Sequence, residues 1–179
     1  MKKTLYLENS AGSSRRGDWA KDLDVEGVER VVVGLGPGSF AGIRSALAFA
    51  HGLSPGGGCE VLGLVSAAAL VGDHEGPLAV VGDARQGKFW IALFDGAKLV
   101  REVFQVEKDM LGKSVPRLAK VYSPDDKRIG DILKETFGDM YAGERLPTGE
   151  GLRRYVERSG EGVLVKDPRP IYLNPAVRN

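Results

Sequence analysis

Short apolar runs separated by glycine- and proline-containing turns dominate the first part of the chain. Three of these runs have the length of buried strands, and two other segments repeat apolar residues at helical spacing. Turn-forming residues from Gly72 to Pro77 then predict a boundary, so residues 1–76 are expected to form an N-terminal lobe. The elements predicted here are strands at about 3–8, 30–35 and 59–64 and helices at about 39–53 and 66–72.

The second part of the chain, residues 77–179, contains a run that is apolar at every position. From Phe89 to Phe94 both alternating faces are hydrophobic, which predicts a central strand covered on both sides. Asp95-Gly96 follows it and predicts a hairpin. These residues are expected to form a C-terminal lobe. Its predicted elements are strands at about 78–82, 88–94, 99–106, 117–122 and 163–165 and helices from Ser123-Pro124 to Phe137 and at about 149–159.

A glycine-rich stretch follows the apolar run Val31-Val32-Val33 and opens the first predicted helix. Gly36 and Gly38 can adopt backbone angles closed to other residues, Pro37 stiffens the turn, and Ser39 is a good N-cap. The stretch is not a P-loop, because no Gly-Lys-Ser/Thr follows, and Ser39 occupies the third glycine position of a dinucleotide fingerprint. A tight strand-to-helix connection without a ligand stays open as an interpretation.

The helix after this loop carries two different stripes. One is apolar, and the other contains only small residues, which allow a second helix to approach closely. Packing arguments alone leave open whether that second helix belongs to this chain or to another one. The apolar stripe consists of Phe40, Ile43, Leu47 and Ala50, and the small stripe of Ala41, Ser45, Ala48 and Gly52.

A second glycine-containing segment, Gly82 to Phe89, also approaches the P-loop pattern. Phe89 stands where a P-loop needs Ser or Thr, and the residues that follow predict a strand instead of a helix. We therefore predict a tight turn between two antiparallel strands. In it Asp83 is expected to bond turn amides, while Arg85 points outward or pairs with an acid.

Four motifs in order resemble the TsaB (YeaZ) family. Gly36-Pro37-Gly38-Ser39-Phe40-Ala41-Gly42-Ile43-Arg44 is similar to the family signature G-P-G-S-F-T-G-[LVI]-R, with Ala41 in place of threonine. Val65-Ser66 then leads an alanine-rich helix, and Asp83-Ala84-Arg85-Gln86-Gly87 resembles D-A-R-x-G. Pro170-Ile171-Tyr172-Leu173 is similar to the family's P-x-Y-L-R.

The resemblance implies an α/β fold of the two-lobed actin-like, ribonuclease H-like kind, with mixed sheets. It implies a non-catalytic subunit that supports a TsaD-type enzyme in forming N6-threonylcarbamoyladenosine at position 37 of tRNA. No cofactor or metal is expected, and the expected partners are a TsaD-type protein and a second copy of the chain. The expected interface lies on the helix predicted at about 39–53, at Phe40, Ala41, Ile43, Arg44, Ser45, Leu47, Ala48 and Gly52.

The N-terminus departs from the family pattern. Leu5-Tyr6-Leu7-Glu8-Asn9-Ser10 is similar to the opening L-A-I-D-T-S, with Glu8 and Asn9 replacing Asp and Thr. The segment from Ala11 to Arg30 is too short for two more strands and a full helix. We therefore expect a truncated first lobe that lacks the first helix and a hairpin. In the family that helix contributes to the interface with TsaD.

Composition narrows the function classes. The 179 residues carry a formal net charge of +1, which gives no overall field for nucleic acid. One cysteine, Cys59, excludes an internal disulfide, and the two histidines lack metal-binding spacing. No apolar run suits a membrane span or a signal peptide, so a cytoplasmic protein is expected.

Two other function classes remain open as alternatives. One is an enzyme of the actin-like superfamily that binds a nucleotide, with Glu8 on the first strand as its acid. The other is a peptidase. No nucleophile and base can be paired from this sequence, which favours an accessory subunit over either enzyme.

Overall fold

The computed structural model describes residues 2–11, 23–54 and 58–173. The chain divides into two compact units. Unit 1 comprises Met1–Ala69 and Pro147–Ile171, and unit 2 comprises Leu70–Leu146 and Tyr172–Asn179. This differs from the division predicted at residue 76, because residues 147–171 return to the first unit.

Unit 1 is built on a four-stranded mixed sheet with the order β1-β2-β3-β10. The first three strands are parallel neighbours, and β10 is antiparallel to β3. Helix α1 follows β2 and helix α4 comes late in the chain. The elements are β1 (Thr4–Leu7), β2 (Arg30–Gly34), α1 (Phe40–Gly52), β3 (Glu60–Leu64), α4 (Gly149–Ser159) and β10 (Val165–Lys166), with short 3-10 helices at Ser66–Leu70 and Glu161–Val163.

Two glycines explain why α4 belongs to unit 1. A Cβ built on Gly149 would lie 2.4 Å from the carbonyl oxygen of Tyr6 in β1, and one on Gly151 would lie 2.3 Å from that of Ala69. Only glycine permits such an approach of the first turn of α4 to the main chain. Thr148 caps the helix by accepting a hydrogen bond from the Gly151 amide at 3.0 Å.

The core of unit 1 lies between the sheet and α1. Val31, Val32 and Val33 of β2 are fully buried. This agrees with the buried strand predicted at about 30–35, because a parallel strand covered on both faces is apolar throughout. Helix α1 contributes Ile43, Ala46, Leu47 and Ala50 to the hydrophobic cluster that contains Val31 and Val33.

Unit 2 contains a six-stranded mixed sheet in which β5 pairs with β4, β6 and β7, and β4, β8 and β9 run parallel to one another. Its core is formed by this sheet and α3. The elements are β4 (Pro77–Arg85), β5 (Lys88–Asp95), β6 (Lys98–Leu99), β7 (Phe104–Glu107), α2 (Leu111–Ser114), β8 (Lys120–Ser123), α3 (Asp126–Phe137) and β9 (Tyr141–Glu144).

Three predicted elements of the C-terminal part differ in detail. The strand expected at 99–106 is split into β6 and β7, which pair with opposite ends of β5. The strand expected at 163–165 is a 3-10 turn followed by β10. Helix α3 begins at Asp126, because the Ser123 hydroxyl accepts the amide hydrogen of Asp125 at 3.0 Å and holds residues 123–125 outside the helix.

The α/β fold with mixed sheets is confirmed. Strand β1 pairs directly and in parallel with β2, and the described residues between them, 8–11 and 23–29, contain no helix or strand. Residues 12–22 lie outside the described part, and so does the corresponding part of the predicted truncation. No helix in the described ranges is long and apolar enough to cross a membrane.

Candidate functional site

The glycine loop of unit 1, residues 34–38, is fastened to the 3-10 helix that begins at Ser66. The Gly36 amide donates to the Ser66 hydroxyl at 2.9 Å, and the Ser66 amide donates to the Gly36 carbonyl at 2.9 Å. Gly36 has a φ of +90°, a left-handed conformation that favours glycine. The loop therefore has a fixed shape that depends on its sequence.

Ser39 caps α1, as predicted. Its hydroxyl accepts a hydrogen bond from the Gly42 amide at 3.2 Å. His51 lies in the last turn of the same 13-residue helix, so the two residues are at opposite ends of it. They do not form a nucleophile and base.

The residues that follow β1 clamp the start of α1. The Ser39 amide donates to the Ser10 carbonyl at 2.6 Å, and the Asn9 side-chain amide donates to the Gly42 carbonyl at 3.3 Å. A Cβ built on Gly42 would lie only 2.0 Å from the Asn9 carbonyl oxygen. Glycine is thus required at position 42, because the helix there lies against the main chain of Asn9.

Glu8 lies beside this clamp. Its Oε1 accepts the Ser10 amide hydrogen at 2.6 Å, whereas Oε2 is buried and has no hydrogen-bond partner among the described residues. Burial raises the pKa of the Glu8 carboxyl, and polar groups of Ser10, Ser66 and Asn9 beside it offset part of that effect. The sequence showed Glu8 as a replacement for Asp on the first strand and as the acid of an alternative nucleotide-binding enzyme. The burial of its Oε2 depends on tertiary packing that no local pattern reveals.

Helix α1 presents two faces of different character. Gly42, Ile43, Ala46, Leu47 and Ala50 are buried. Ile43 and Leu47 were expected at a partner interface, and that prediction is wrong because both side chains belong to the core of their own unit. Seven residues of α1 are exposed. Six of them, here called the outer face of α1, are Phe40, Ala41, Arg44, Ser45, Ala48 and Gly52, and the seventh is His51.

The outer face combines small residues with one large aromatic. Phe40 is 55% exposed, and the Arg44 guanidinium lies 5.0 Å from the centre of its ring. No atom of the described residues lies within 4 Å of a Cβ built on Gly52. The predicted small stripe is therefore accessible along the whole helix.

The second motif forms the predicted turn between β4 and β5 in unit 2. The strands are antiparallel up to Arg85 and Lys88, which confirms that a strand and not a helix follows the segment. Arg85, Gln86 and Gly87 all have positive φ, and the strand register shifts between Asp83 and Arg85, next to the buried Ala84. Two adjacent non-glycine residues in this conformation need support from their surroundings.

Two carboxylates supply that support. Asp83 accepts the Arg85 amide hydrogen at 2.8 Å, and its own amide donates to Asp125 at 2.9 Å. Arg128 of α3 pairs with both Asp83 and Asp125. The turn is thus locked to the start of α3, and both acids already hold structural partners.

We expect Asp125→Ala to destabilise unit 2 by about 1–2 kcal/mol, because the Asp83 amide loses its acceptor and Arg128 loses a partner. Asp131→Ala, at an exposed position of α3, is the matched control and should change stability little. Urea unfolding of both variants measures the difference. Equal stability of the two would show that the turn is not held by Asp125.

Among the residues in the three described ranges, no group of three or more His, Cys, Asp or Glu is placed to hold a metal ion.

Comparison with known proteins connects these features to a family. Residues 20–151 match the family model described as TsaD, tRNA N6-adenosine threonylcarbamoyltransferase. The chain belongs to the TsaD family. The match includes the glycine loop, the whole of α1 and the turn of unit 2.

Solved structures show the fold. YeaZ from Pseudomonas aeruginosa matches 97% of this chain and 100% of its own, with a TM-score of 0.70 and 17% sequence identity. A second structure, described as an uncharacterized protein with similarity to peptidase YeaZ from Pseudomonas aeruginosa, has a TM-score of 0.59 and 18% identity. It covers 85% of this chain and 76% of its own. The predicted resemblance to the TsaB (YeaZ) family is confirmed at the level of fold.

Relatives found by sequence align with only part of this chain. Proteins of Mycobacterium tuberculosis and Mycobacterium bovis, both described as uncharacterized, are 33% identical over 104 residues, or 58% of this chain. That alignment covers 48% of each relative. The chain thus spans about half the length of the curated relatives it matches.

Proposed function

We propose that this member of the TsaD family is a non-catalytic accessory subunit of the TsaB type. It binds a TsaD-type enzyme and supports the formation of N6-threonylcarbamoyladenosine at position 37 of tRNA, in the cytoplasm. The observation that carries this proposal is the outer face of α1. It combines the family's glycine-loop signature with an exposed surface suited to a second helix.

The outer face has the properties of a helix-docking surface. The inner side of α1 is packed into its own core, so the helix is held rigidly while Ala41, Ser45 and Ala48 remain accessible. Small side chains at this spacing let the axis of another helix come close. Phe40, more than half exposed beside Arg44, offers an aromatic anchor at one end.

A second copy of the chain fits the same surface. A helix face of small residues can pack against itself across a two-fold axis, and we therefore include a homodimer in the proposal. The TsaD-type partner and the second copy would then compete for one face. Because both use Ala48, one substitution tests them together.

Polar side chains of the two glycine-containing motifs already have structural roles, which supports a non-catalytic subunit. The Ser39 hydroxyl is occupied as a helix cap, and Asp83 and Asp125 are occupied in holding the unit 2 turn. The near-neutral net charge gives the chain no general attraction for tRNA, so we assign RNA binding to the partner.

A reconstitution assay tests this role. The chain is mixed with a TsaD-type enzyme, the threonylcarbamoyl donor and an unmodified tRNA, and modified adenosine is measured by mass spectrometry of digested tRNA. We expect product to require both proteins, with none formed by this chain alone. Unchanged product without the chain, or ATP or peptide hydrolysis by the chain alone, would contradict the proposal.

A further inference from the structure

Glu8 places an ionisable group where three parts of unit 1 meet. Its Oε2 lies so close to the main chain of β2 that a Cβ on Gly34 would be 1.8 Å away, and the same Cβ would be 2.7 Å from the Ser66 hydroxyl. The oxygen is buried there, and no residue that the structure describes forms a hydrogen bond to it. The proposed partner-binding role gives this carboxyl no task.

The residues next to Glu8 hold the glycine loop and α1 in place. Ser10 accepts from the Ser39 amide and Asn9 donates to Gly42, so residues 8–10 connect β1 to the first turn of α1. We call residues 8–10 the latch. Any change that moves the Glu8 carboxyl must also move one or both of these contacts, since Glu8 is held to the Ser10 amide.

We propose that the protonation state of Glu8 controls the latch: neutral Glu8 keeps residues 8–10 closed on the glycine loop, and ionised Glu8 releases them. A neutral carboxyl can remain buried with one unpaired oxygen at modest cost. An ionised one in the same place must find further donors or reach water, because burying an unpaired charge is far more costly.

Within residues 2–11, 23–54 and 58–173, the surroundings of Glu8 do not supply a compensating charge. The groups that face it are Asn9 and Ser10 on its own segment, Gly34 on β2 and Ser66 on the 3-10 helix. None of these four titrates or carries a charge. The dominant influence is burial, which raises the pKa of Glu8.

The direction of the pH effect follows from this raised pKa. The closed latch binds the Glu8 proton more tightly than an open or unfolded segment does, so it is most stable below the ordinary pKa of a glutamate. Its stability falls as the pH rises toward the higher pKa of the closed state and is constant above it. A buried acid with a lowered pKa would behave in the opposite way.

Amide hydrogen exchange of the full chain tests the latch, with protection factors measured for residues 34–42 between pH 5 and pH 8. In the wild-type protein we expect protection to fall with pH, by at most about tenfold per pH unit, the limit for one proton. Glu8→Gln should remove this dependence. Glu26→Gln, an exposed glutamate of the same unit, should leave it as in the wild type.

A second measurement keeps the test decisive if Glu8→Gln does not fold. The carboxyl carbon of Glu8 is titrated by NMR in the wild-type chain, where we expect a midpoint above that of the exposed glutamates. Titration together with those glutamates, or protection of residues 34–42 that does not vary with pH, would overturn the proposal. Neither measurement involves a partner, so the latch can fail or hold independently of the proposed function.

Discussion

Ala48→Arg is expected to abolish association with a TsaD-type partner while leaving the chain folded. Ala48 is exposed at the centre of the outer face of α1, between Ser45 and Gly52. An arginine there inserts a long charged side chain where two helices must approach closely. We expect affinity to fall at least about a hundredfold, or about 2.7 kcal/mol, by isothermal titration calorimetry.

The fold should tolerate this change, because arginine is a good helix former and the position is open to solvent. Ala142→Arg is the matched control, since Ala142 is an exposed alanine in β9 of the other unit. The control should bind as the wild type does. Equal binding by Ala48→Arg and wild type would remove the outer face of α1 from the interface with the partner.

Gly42→Ala is expected to destabilise unit 1 by about 1–3 kcal/mol, the usual range for overpacking a rigid site. The new Cβ would lie 2.0 Å from the Asn9 carbonyl oxygen, so either α1 or the latch must shift. That oxygen belongs to the main chain and cannot move aside as a flexible side chain would. The loss should be visible in urea unfolding and as reduced amide protection at the start of α1.

Gly52→Ala provides a control on the same helix. Its Cβ would meet none of the residues that the structure describes within 4 Å, so the higher helix propensity of alanine should leave stability unchanged or raise it by up to about 1 kcal/mol. If both variants behave alike, the close approach of residue 9 to α1 does not hold in solution.

Local chemistry made the loop and α1 predictable. Ser39 as a cap, the glycines before it and the apolar spacing of Ile43, Leu47 and Ala50 all act within one helical turn or two. The turn of unit 2 was predictable for the same reason. Asp83 bonds an amide only two residues away, which the sequence D-A-R-Q-G already indicates.

Contacts between distant segments were not predictable. The approach of Gly149 to Tyr6 decides that α4 belongs to unit 1, yet 143 positions separate the two in the sequence numbering. The burial of Glu8 against Gly34 and Ser66 likewise depends on three segments meeting. The alternation of apolar residues and the composition carry no information about contacts between distant segments. A boundary placed at the turn near residue 76 therefore assigned α4 to the other lobe.

The two stripes of α1 show a further limit. Their spacing correctly separated small from apolar residues, but Ile43 and Leu47 were grouped with the partner interface although they pack inward. Phe40, expected with the apolar stripe, is exposed. Phe40 is the first residue of α1. Helical spacing does not determine which way its side chain faces, because the residues before it are not helical.

The central claim is that the outer face of α1 contacts a TsaD-type protein, and site-specific photo-cross-linking tests it most directly. A photoreactive amino acid is placed at Ser45 on the outer face or at Lys127, an exposed position of α3, and each chain is irradiated with the partner. We expect a cross-linked heterocomplex from position 45 and none from position 127. Cross-linking from position 127 alone, or from neither position under conditions where the complex forms, would contradict the account.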